Sequence, residues 1–491
     1  MKCAIGKRER EKRAFSYKIF ERGHSFDKFS NALPDPYYYK PTDIVLYDLI
    51  HKEHLKQTNN GVIRLFRNCY THKYIGISIF EKDIDEIING LDQTLHNGKS
   101  WYKLGIFDFA FDKELDKYID YFEICFHNFS SSYATIEMQL SLSESFQNEI
   151  GDFIKQEYSR KERHVSKYWK RNKKKSGAVI GYAVGGGSLN EHIKSKLIYE
   201  QMEYVKYIFL NQIRKYFPLL LYSKNKKLYG INVFETNLTP DNQLETSVYS
   251  SLGIDDRDGF FLSPAERLYV STSNIPSRDD YKSDMMYIYN PDKVYDYDAY
   301  FTPHNKVLSY FTEDYMLDLY RMVILKGLGL YYLDVISLYR NRVNKYTAQL
   351  KSQKKLLKMK YAISKEFYDF NKIDQEIPIK KEIAYAKAVL EQNKYVTSSV
   401  YYQWNPYSQF TNNPEWMWKQ IKDNYEEIES DLQHKIEISA DLNAYKREKG
   451  NRIITYFQLI IALLTFVLRI FPEKAEVIAE IIRDILQHVI K

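Results

Sequence analysis

Cysteine is scarce in this chain, and its pattern excludes two kinds of stabilisation. The three cysteines, Cys3, Cys69 and Cys125, are far apart and odd in number, and none belongs to a C-x-x-C motif. They therefore support neither a disulfide framework nor a zinc site, and reduced thiols in a cytoplasm are the simplest expectation. The N-terminal residues are charged and lack an apolar core, so we expect no secretory signal.

The motifs of common enzyme classes are also absent. The sequence contains no H-E-x-x-H, no G-x-S-x-G, no P-loop and no protein-kinase motif set. Residues 255–259 (DDRDG) suggest calcium, but the EF-hand spacing would place Ile254 and Ala265 at ligand positions. We predict no catalytic residue, no metal site and no cofactor. A soluble nucleic-acid-processing enzyme built from dispersed Asp, Glu and Lys side chains stays open as an alternative.

Long apolar runs are rare, and one stands out near the C-terminus. Residues 453–468 (IITYFQLIIALLTFVL) carry no charge, and Arg452 and Arg469 flank them. Sixteen residues are short for a span of about twenty, but the Arg469 side chain can extend its charge toward water, so the span can continue. We predict a transmembrane helix over residues 453–471. A buried core helix is the alternative.

Composition and periodicity predict a folded α+β chain. Its 491 residues are 44% hydrophobic and 27% charged, which suits two or three domains. From residue 62 onward, several short segments alternate apolar and polar residues as strands do, while residues 82–95 and 143–158 have helical spacing. We predict a mixed, largely antiparallel N-terminal region, a helical bundle with a long stalk helix, and a short C-terminal transmembrane segment.

The predicted domain boundaries follow changes in these patterns. We assign residues 1–60 to a basic arm and linker, 61–158 to an α+β domain, 159–188 to a basic and glycine-rich linker, 189–305 to a second α+β region, 306–412 to a helical bundle, 413–452 to the stalk helix, 453–471 to the transmembrane helix and 473–491 to an amphipathic helix. Local patterns further predict a helix over residues 43–55, strands at 62–66 and 219–223, and a helix start at Pro414.

Residues 160–175 (RKERHVSKYWKRNKKK) are the most basic stretch of the chain. Nine of these sixteen residues are Lys or Arg. One interpretation is a binding site for a nucleotide, an oligonucleotide or lipid headgroups, because Lys and Arg bind phosphates and aromatic rings stack on bases. The other interpretation is a solvated linker between domains. The glycines that follow this stretch either form a flexible hinge or cradle a phosphate with their backbone amides. The predicted ligand-binding residues are Arg160, Lys161, Arg163, Lys167, Trp169, Lys170, Arg171, Gly185, Gly186 and Gly187.

A very long helix is predicted upstream of the apolar run. Residues 415–468 contain no proline, and apolar residues from Ile421 to Leu432 follow the 4-3-4 spacing of a coiled coil. Unbroken to Phe471, such a helix would be on the order of 85 Å long. That length exceeds a single-domain core and suits a stalk that enters a membrane. Residues 310–346, by contrast, are apolar but repeatedly interrupted by charge, and we predict a buried bundle helix there.

The last predicted helix has an apolar stripe and an opposite acidic face. It either lies in the membrane interface, packs in a bundle, or lines a cation pore in a homo-oligomer, and we favour the first two. Four basic residues precede the span, which predicts a cytoplasmic N-terminal region in the inner (cell) membrane. The predicted pore or membrane residues are Gln458, Arg469, Glu476, Glu480 and Asp484.

The junction between stalk and span resembles that of CorA-type cation transporters. In residues 443–468 (NAYKREKGNRIITYFQLIIALLTFVL), a basic, Asn-containing turn precedes the apolar run. The resemblance covers about the last eighty residues and implies a cytoplasmic α+β domain, a bundle and a stalk helix. Phe471-Pro472-Glu473 replaces the Gly-Met-Asn of these transporters, and a charged helix replaces their apolar second span. The chain looks closer to CorA-like membrane effectors of prokaryotic antiphage systems.

These patterns and this resemblance lead to one functional expectation. We expect an oligomeric membrane effector or ion channel whose cytoplasmic part senses an anionic ligand, a nucleotide or an oligonucleotide, and controls membrane permeability. The expected partners are the lipid membrane, further copies of the chain, and the ligand. The resemblance implies that a separate enzyme supplies this ligand. A CorA-type divalent cation transporter is the alternative among membrane proteins.

Overall fold

The computed structural model describes residues 32–33, 35–69, 84–97, 101–109, 112–157, 186–225, 228–237, 260–263, 268–272, 285–289, 291, 317–347, 353–392, 396–397 and 407–489. The fold is α+β with a largely antiparallel sheet and a long C-terminal helix, as predicted from the sequence. The chain divides into two compact units. The first is Met1–Tyr332 with Phe370–Lys419, and the second is Leu333–Asp369 with Gln420–Lys491.

A β-sheet organises the described part of the first unit. Its long strands are β1 (Tyr39–His51), β2 (Trp101–Phe107), β3 (Ile119–Asn128), β4 (Tyr133–Leu142) and β5 (Gly230–Thr236). They pair antiparallel in the order β2-β3-β4-β1-β5. Within the described residues, shorter strands extend the sheet beyond β5 in the order β8-β7-β6-β9, and β5 and β8 are parallel. These are β6 (Phe260–Ser263), β7 (Leu268–Thr272), β8 (Met285–Tyr289) and β9 (Val396–Thr397).

Helices surround the sheet and form the C-terminal part of the chain. In chain order they are α1 (Leu55–Cys69), α2 (Ile84–Asn97), α3 (Lys113–Asp116), α4 (Glu144–Lys155), α5 (Gly186–Ile213), α6 (Leu220–Asn225), α7 (Leu317–Thr347), α8 (Gln353–Glu366), α9 (Tyr368–Glu376), α10 (Ile379–Gln392), α11 (Tyr407–Ile470) and α12 (Ala475–Val489). The predicted helices at residues 82–95 and 143–158 are confirmed as α2 and α4, and Ser143 caps α4 by accepting from the backbone N–H of Phe146.

Both faces of the sheet are buried at its centre. All ten residues of β4 are buried. Its alternation therefore separates an apolar face, with Ile136 and Met138, from a polar face, with Glu137 and Gln139. The alternation that predicts this strand is therefore present, but its polar face is covered by protein and not by water.

The helix predicted over residues 43–55 is wrong, because most of this stretch is the central strand β1. It pairs with β4 on one side and β5 on the other. Ten consecutive residues of β1, Pro41 to Ile50, are buried. A mostly apolar run of this kind suits a doubly covered strand as well as a helix, and only its pairing partners select between them.

Two predicted strands are helices. Residues 62–66 belong to α1, which buries Thr58, Val62 and Leu65 at helical spacing. Residues 219–223 lie mostly in α6, whose N-terminus is held by the buried carboxylate of Asp48: Asp48 accepts from the backbone N–H groups of Leu221 at 2.7 Å and Tyr222 at 3.0 Å. Both runs are too short for periodicity to distinguish the two structures. The strands predicted at β2, β3, β4, β5, β7 and β8 are confirmed.

The sheet joins residues that the sequence patterns assigned to separate regions. Strand β1 comes from the predicted N-terminal arm, β4 from the first α+β region and β5 from the second, yet the three strands are neighbours. Strand pairing over such long separations leaves no mark on the local pattern. The sheet is thus one structural element of the first unit.

The second unit contains a helical bundle built around α11. Val335 and Ile336 of α7, Ile363 of α8, and Ile428 and Leu432 of α11 are buried. The ring of Phe367 stacks on that of Tyr425 at 4.5 Å, and Arg340 pairs with Glu427. The 4-3-4 apolar spacing predicted for the stalk is therefore used for packing within the chain.

Helix α11 begins earlier than predicted and is continuous to the end of the apolar run. It starts at Tyr407 and contains Pro414 in its interior, so the predicted helix start at Pro414 is wrong. Its 64 residues correspond to about 96 Å at about 1.5 Å per residue. Residues 407–413 belong to this helix, and residues 398–406 lie outside the described residues.

Candidate membrane segment

The C-terminal half of α11 extends beyond the bundle. Ser439 is the last buried residue of the helix, and among the described residues from 440 to 470 none is buried. This free part is about 46 Å long, estimated from the rise per residue. The described part of the chain therefore leaves this segment uncovered.

The exposed end of α11 is strongly apolar. Ten large apolar side chains between residues 453 and 470 are 41–67% exposed. By length and composition this helix can cross a membrane, and its most apolar window is 0% buried. Helix α7 passes the same compositional criterion, but 61% of its window is buried, in agreement with the predicted bundle helix. The apolar end of α11 is thus the membrane candidate.

A polar stripe runs along this apolar end. Its members alternate at spacings of four and three residues, which places them on one face of the helix. They are the polar residues Asn451, Thr455, Gln458, Thr465 and Arg469, together with the small residue Ala462. The hydroxyls of Thr455 and Thr465 donate to the carbonyls of Asn451 at 2.9 Å and Ile461 at 2.7 Å, so the helix itself satisfies them. Gln458 carries the largest uncharged polar group on this face.

Charged residues border the apolar segment at both ends. Arg452 pairs with Glu448 on the N-terminal side, and Arg469 lies at the other end. The two arginines are seventeen positions apart, or about 26 Å along the helix, which is close to the hydrocarbon thickness of about 30 Å. The apolar segment therefore matches a membrane core bounded by cations that reach the interfaces.

Helix α12 follows after a short 3-10 turn, Pro472–Lys474, and is amphipathic as predicted. Val477 and Ile481 on its apolar side are more than half exposed. Glu476, Glu480 and Asp484 are exposed on the other side. The three acids recur every four residues, so α12 presents one acidic face and one uncovered apolar face.

The predicted ligand-binding residues fall mostly outside the described ranges. This applies to Arg160, Lys161, Arg163, Lys167, Trp169, Lys170, Arg171 and Gly185. Gly186 and Gly187 form the first turn of α5, three residues earlier than the helix start predicted near Leu189. DDRDG at residues 255–259 also lies outside these ranges.

The elements that flank this basic stretch meet at a cleft. The cleft has a volume of about 450 Å³ and lies between α4, through Asp152 and Gln156, and α5, through Leu197 and Gln201. The buried ammonium of Lys194 joins the two helices, because it donates to the carbonyls of Ile154 at 2.7 Å and Gln156 at 3.0 Å. Burial lowers the pKa of Lys194 to about 8. The chain thus leaves α4 at the same cleft that α5 lines.

A buried polar cluster on the sheet was not predicted from the sequence. His127 and Glu137 approach at 2.9 Å, Gln139 donates to the same carboxylate, and the ring of Tyr320 stacks on His127. Their spacing in sequence carries no recognisable motif, since adjacent strands bring them together. Among the described residues, no group of three or more His, Cys, Asp or Glu side chains has the geometry to hold a metal ion.

Comparison with protein-family models, with curated proteins and with solved structures finds no significant match to this chain. The site is therefore defined by its own geometry. Gln458 and Arg469 were predicted from the sequence, and the continuous helix places them on one face with Thr455, Ala462 and Thr465. The alternating spacing of these polar residues was the signal that could have identified the whole stripe.

Proposed function

We propose that this protein is an oligomeric membrane effector that controls ion permeability in response to an anionic ligand. The observation that carries the proposal is the apolar end of α11 and its exposure. Ten half-exposed large apolar side chains would cost roughly 10 kcal/mol in water, as much as the whole stability of a typical domain. A lipid bilayer removes this cost, and the helix length between Arg452 and Arg469 suits it.

The charges around the segment support an orientation. Lys446, Arg447, Lys449 and Arg452 precede it, and the positive-inside rule then places the N-terminal region in the cytoplasm. The corresponding membrane is the cell (inner) membrane. Helix α12 follows on the other side and lies in the interface, with its apolar face toward the lipid and its acids toward water.

The polar stripe on α11 supports an oligomer with a permeation path. An amide such as that of Gln458 is costly in hydrocarbon unless it finds a hydrogen-bond partner. A second copy of the same helix supplies an identical amide at the same depth, and Ala462 allows the two backbones to approach. Polar residues that face one another in a ring also provide the polar lining that ions require.

The sensing role rests on charge. Residues 160–175 are strongly basic and contain two aromatic rings, which is the chemistry that binds phosphates and stacks on bases. The flanking helices α4 and α5 meet at a cleft large enough for a small ligand. By the resemblance to antiphage effectors, the ligand is a nucleotide or oligonucleotide supplied by another enzyme, and permeabilisation is the response.

Vesicle permeability tests the proposal directly. The full chain is reconstituted into dye-loaded vesicles together with fractionated cell lysate as a source of small anionic ligands. We expect leakage from the wild-type protein and none from Ile461→Lys, because a charge at the centre of a span costs about 2.5–3.5 kcal/mol or more. Ile461→Leu is the matched control and keeps the wild-type leakage.

The outcomes separate this proposal from its alternatives. A protein that is fully released from membranes by carbonate extraction would contradict it. Leakage of magnesium alone would favour a divalent cation transporter, and nucleic-acid cleavage without leakage would favour a soluble enzyme. Ultraviolet absorbance of the purified protein at nucleobase wavelengths reports a bound nucleotide.

A further inference from the structure

The exposed face of α8 is basic and aromatic. Five of the fourteen residues of α8 are lysines, and Glu366 is its one acidic residue. Lys354, Lys358, Tyr361 and Lys365 are exposed and follow a 4-3-4 spacing, so they share one face. The Tyr361 side chain is 72% exposed. Lysines interleaved with tyrosine match the chemistry of a membrane interface that carries anionic headgroups.

The position of two of these lysines is unfavourable for the helix itself. Lys354 and Lys355 lie in the first turn of α8, which contains no acidic residue. Cations oppose the positive end of the helix dipole there. Helix α10 also begins with a lysine pair, Lys380 and Lys381, but has Glu382 in its first turn. An uncompensated local cost of this kind points to a gain outside the helix.

Two contacts within the second unit set the direction of α8 along α11. The ring of Phe367 stacks on that of Tyr425 at 4.5 Å, and the Lys360 ammonium donates to the Gln433 side chain at 2.8 Å. Going back seven residues, from Phe367 to Lys360, therefore corresponds to going forward eight residues on α11, from Tyr425 to Gln433. The two helices are antiparallel, and the N-terminus of α8 points toward the apolar segment.

The N-terminus of α8 lies close to the expected membrane surface. Extending the antiparallel match by another seven residues puts the first turn of α8 level with about residue 441 of α11, about 18 Å before Ile453. Headgroups occupy about 5–7 Å outside the hydrocarbon core. For a helix along the membrane normal, about 11–13 Å then remain between the first turn of α8 and the outer edge of the headgroups. The lysine side chain spans part of this distance, and what is left is comparable to the Debye length of about 8–10 Å.

We propose that Lys354 and Lys355 bind anionic lipid headgroups of the membrane that α11 enters. The contact holds this end of the bundle on the bilayer surface and makes the protein sensitive to lipid charge. It requires the membrane location proposed above for α11. The observations that carry it are the exposure of Lys354 and Lys355 at the N-terminal end of the basic face, the absence of an acidic residue in that first turn, and the direction set by the two contacts.

Lysine labelling in vesicles tests this contact. The full chain is reconstituted into vesicles of phosphatidylcholine or of an equimolar mixture with phosphatidylglycerol, and acetylation of each lysine is followed by mass spectrometry. A surface potential of about −30 mV concentrates protons about threefold and lowers the reactive amine fraction accordingly. We expect Lys354 and Lys355 to react about threefold more slowly in the mixed vesicles. Lys365, at the far end of the same helix, keeps its rate.

Equal rates for Lys354 in the two vesicle types, or an equal slowing at Lys365, would overturn the contact. If a single-stranded oligonucleotide protects these lysines and lipid charge does not, the face binds nucleic acid and the proposal is wrong. Carbonate extraction of the same vesicles reports insertion separately. Inserted protein with unchanged labelling disproves the lipid contact alone, whereas extracted protein disproves the membrane proposal as well.

Charge reversal supplies a second readout. In detergent, phosphatidylglycerol should raise the melting temperature of the wild-type protein, because a ligand that binds the folded state stabilises it. Lys354→Glu with Lys355→Glu should lose most of this rise and still fold, since acids suit a helix N-terminus. Lys380→Glu with Lys381→Glu, at the same positions of α10, should keep it. Loss of the rise in both pairs would contradict the proposal.

Discussion

Asp48 joins the sheet to a distant helix through one buried side chain. It lies on β1 and accepts from the backbone N–H groups of Leu49, Leu221 and Tyr222 at 2.6–3.0 Å. Burial raises the pKa of Asp48 to about 7, and the backbone donors oppose this rise. A carboxyl whose pKa is higher in the folded state favours folding at low pH, and this contribution is lost as pH rises through about 7.

Asp48→Asn should reduce the pH dependence of stability. The amide oxygen can still accept from α6, but it carries no charge and does not titrate. We expect the melting temperature of the detergent-solubilised wild-type protein to fall between pH 5 and pH 8 more steeply than that of the variant. The exposed Asp441→Asn serves as the control and should keep the wild-type slope. Parallel slopes for wild type and Asp48→Asn would contradict the assignment.

At the scale of one element, α11 changes its environment along its length. Ile421, Ile428 and Leu432 pack in the bundle, and no described residue beyond Ser439 is buried. The polar stripe of the apolar end follows the same alternating spacing, but all of its residues are exposed. A continuous helix that packs in a bundle at one end and is apolar and exposed at the other could connect that bundle to a bilayer, as proposed above.

Cysteine cross-linking should identify the face of α11 that meets a second copy. Gln458→Cys and Thr465→Cys lie on the polar stripe, while Ile460→Cys and Val467→Cys have the same seven-residue spacing on the opposite face. In a Cys3→Ser background, with Cys69 and Cys125 buried, oxidation in membranes should give disulfide-linked dimers with the first pair of variants. The second pair should stay monomeric on denaturing gels.

The variant Gln458→Leu measures how much the Gln458 amide contributes to the association of two copies through the same interface. Hydrogen bonds between membrane helices contribute about 0.6–1.4 kcal/mol, so self-association in vesicles should weaken by about threefold to tenfold. Ile460→Leu is the matched control. Cross-linking on both faces alike, or unchanged association in Gln458→Leu, would show that the stripe does not mediate assembly.

At the scale of the whole molecule, the predicted sensing residues and the membrane segment are far apart in sequence. The basic stretch 160–175 contributes nine cations to a chain whose net charge is +7. Without that stretch and its single acid the remainder would be near neutral, at 7 − 9 + 1 = −1. Electrostatic attraction of an anionic ligand is therefore expected to depend on this stretch.

The salt dependence of ligand binding should report that electrostatic contribution. For a fluorescent single-stranded oligonucleotide, each phosphate contact contributes about −0.7 to the slope of log K against log salt. Arg163→Ala with Lys167→Ala should reduce the slope by about 1.4, measured by fluorescence anisotropy, and leave membrane insertion unchanged. Lys380→Ala with Lys381→Ala should keep the wild-type slope. An unaltered slope in the first pair would remove this stretch from the binding site.

Patterns confined to one element were sufficient to predict a large part of the structure. Strands β3 and β4, helix α4, and the long helix with its apolar end were all predicted from the sequence. Each depends on the periodicity or composition of neighbouring residues, which the sequence contains in full. The assignment of Gln458 and Arg469 to the membrane rests on the same kind of pattern and stays a prediction.

Tertiary contacts decided the rest, because short apolar runs suit a strand or a helix equally. Strand β1 exists where β4 and β5 pair with it, and α6 begins where Asp48 binds a backbone N–H from 173 residues away. The direction of α8 likewise follows from Phe367 and Lys360 meeting α11. Composition and periodicity thus determined that the apolar run is a helix, and packing that ends at Ser439 decided that this run stands outside the bundle.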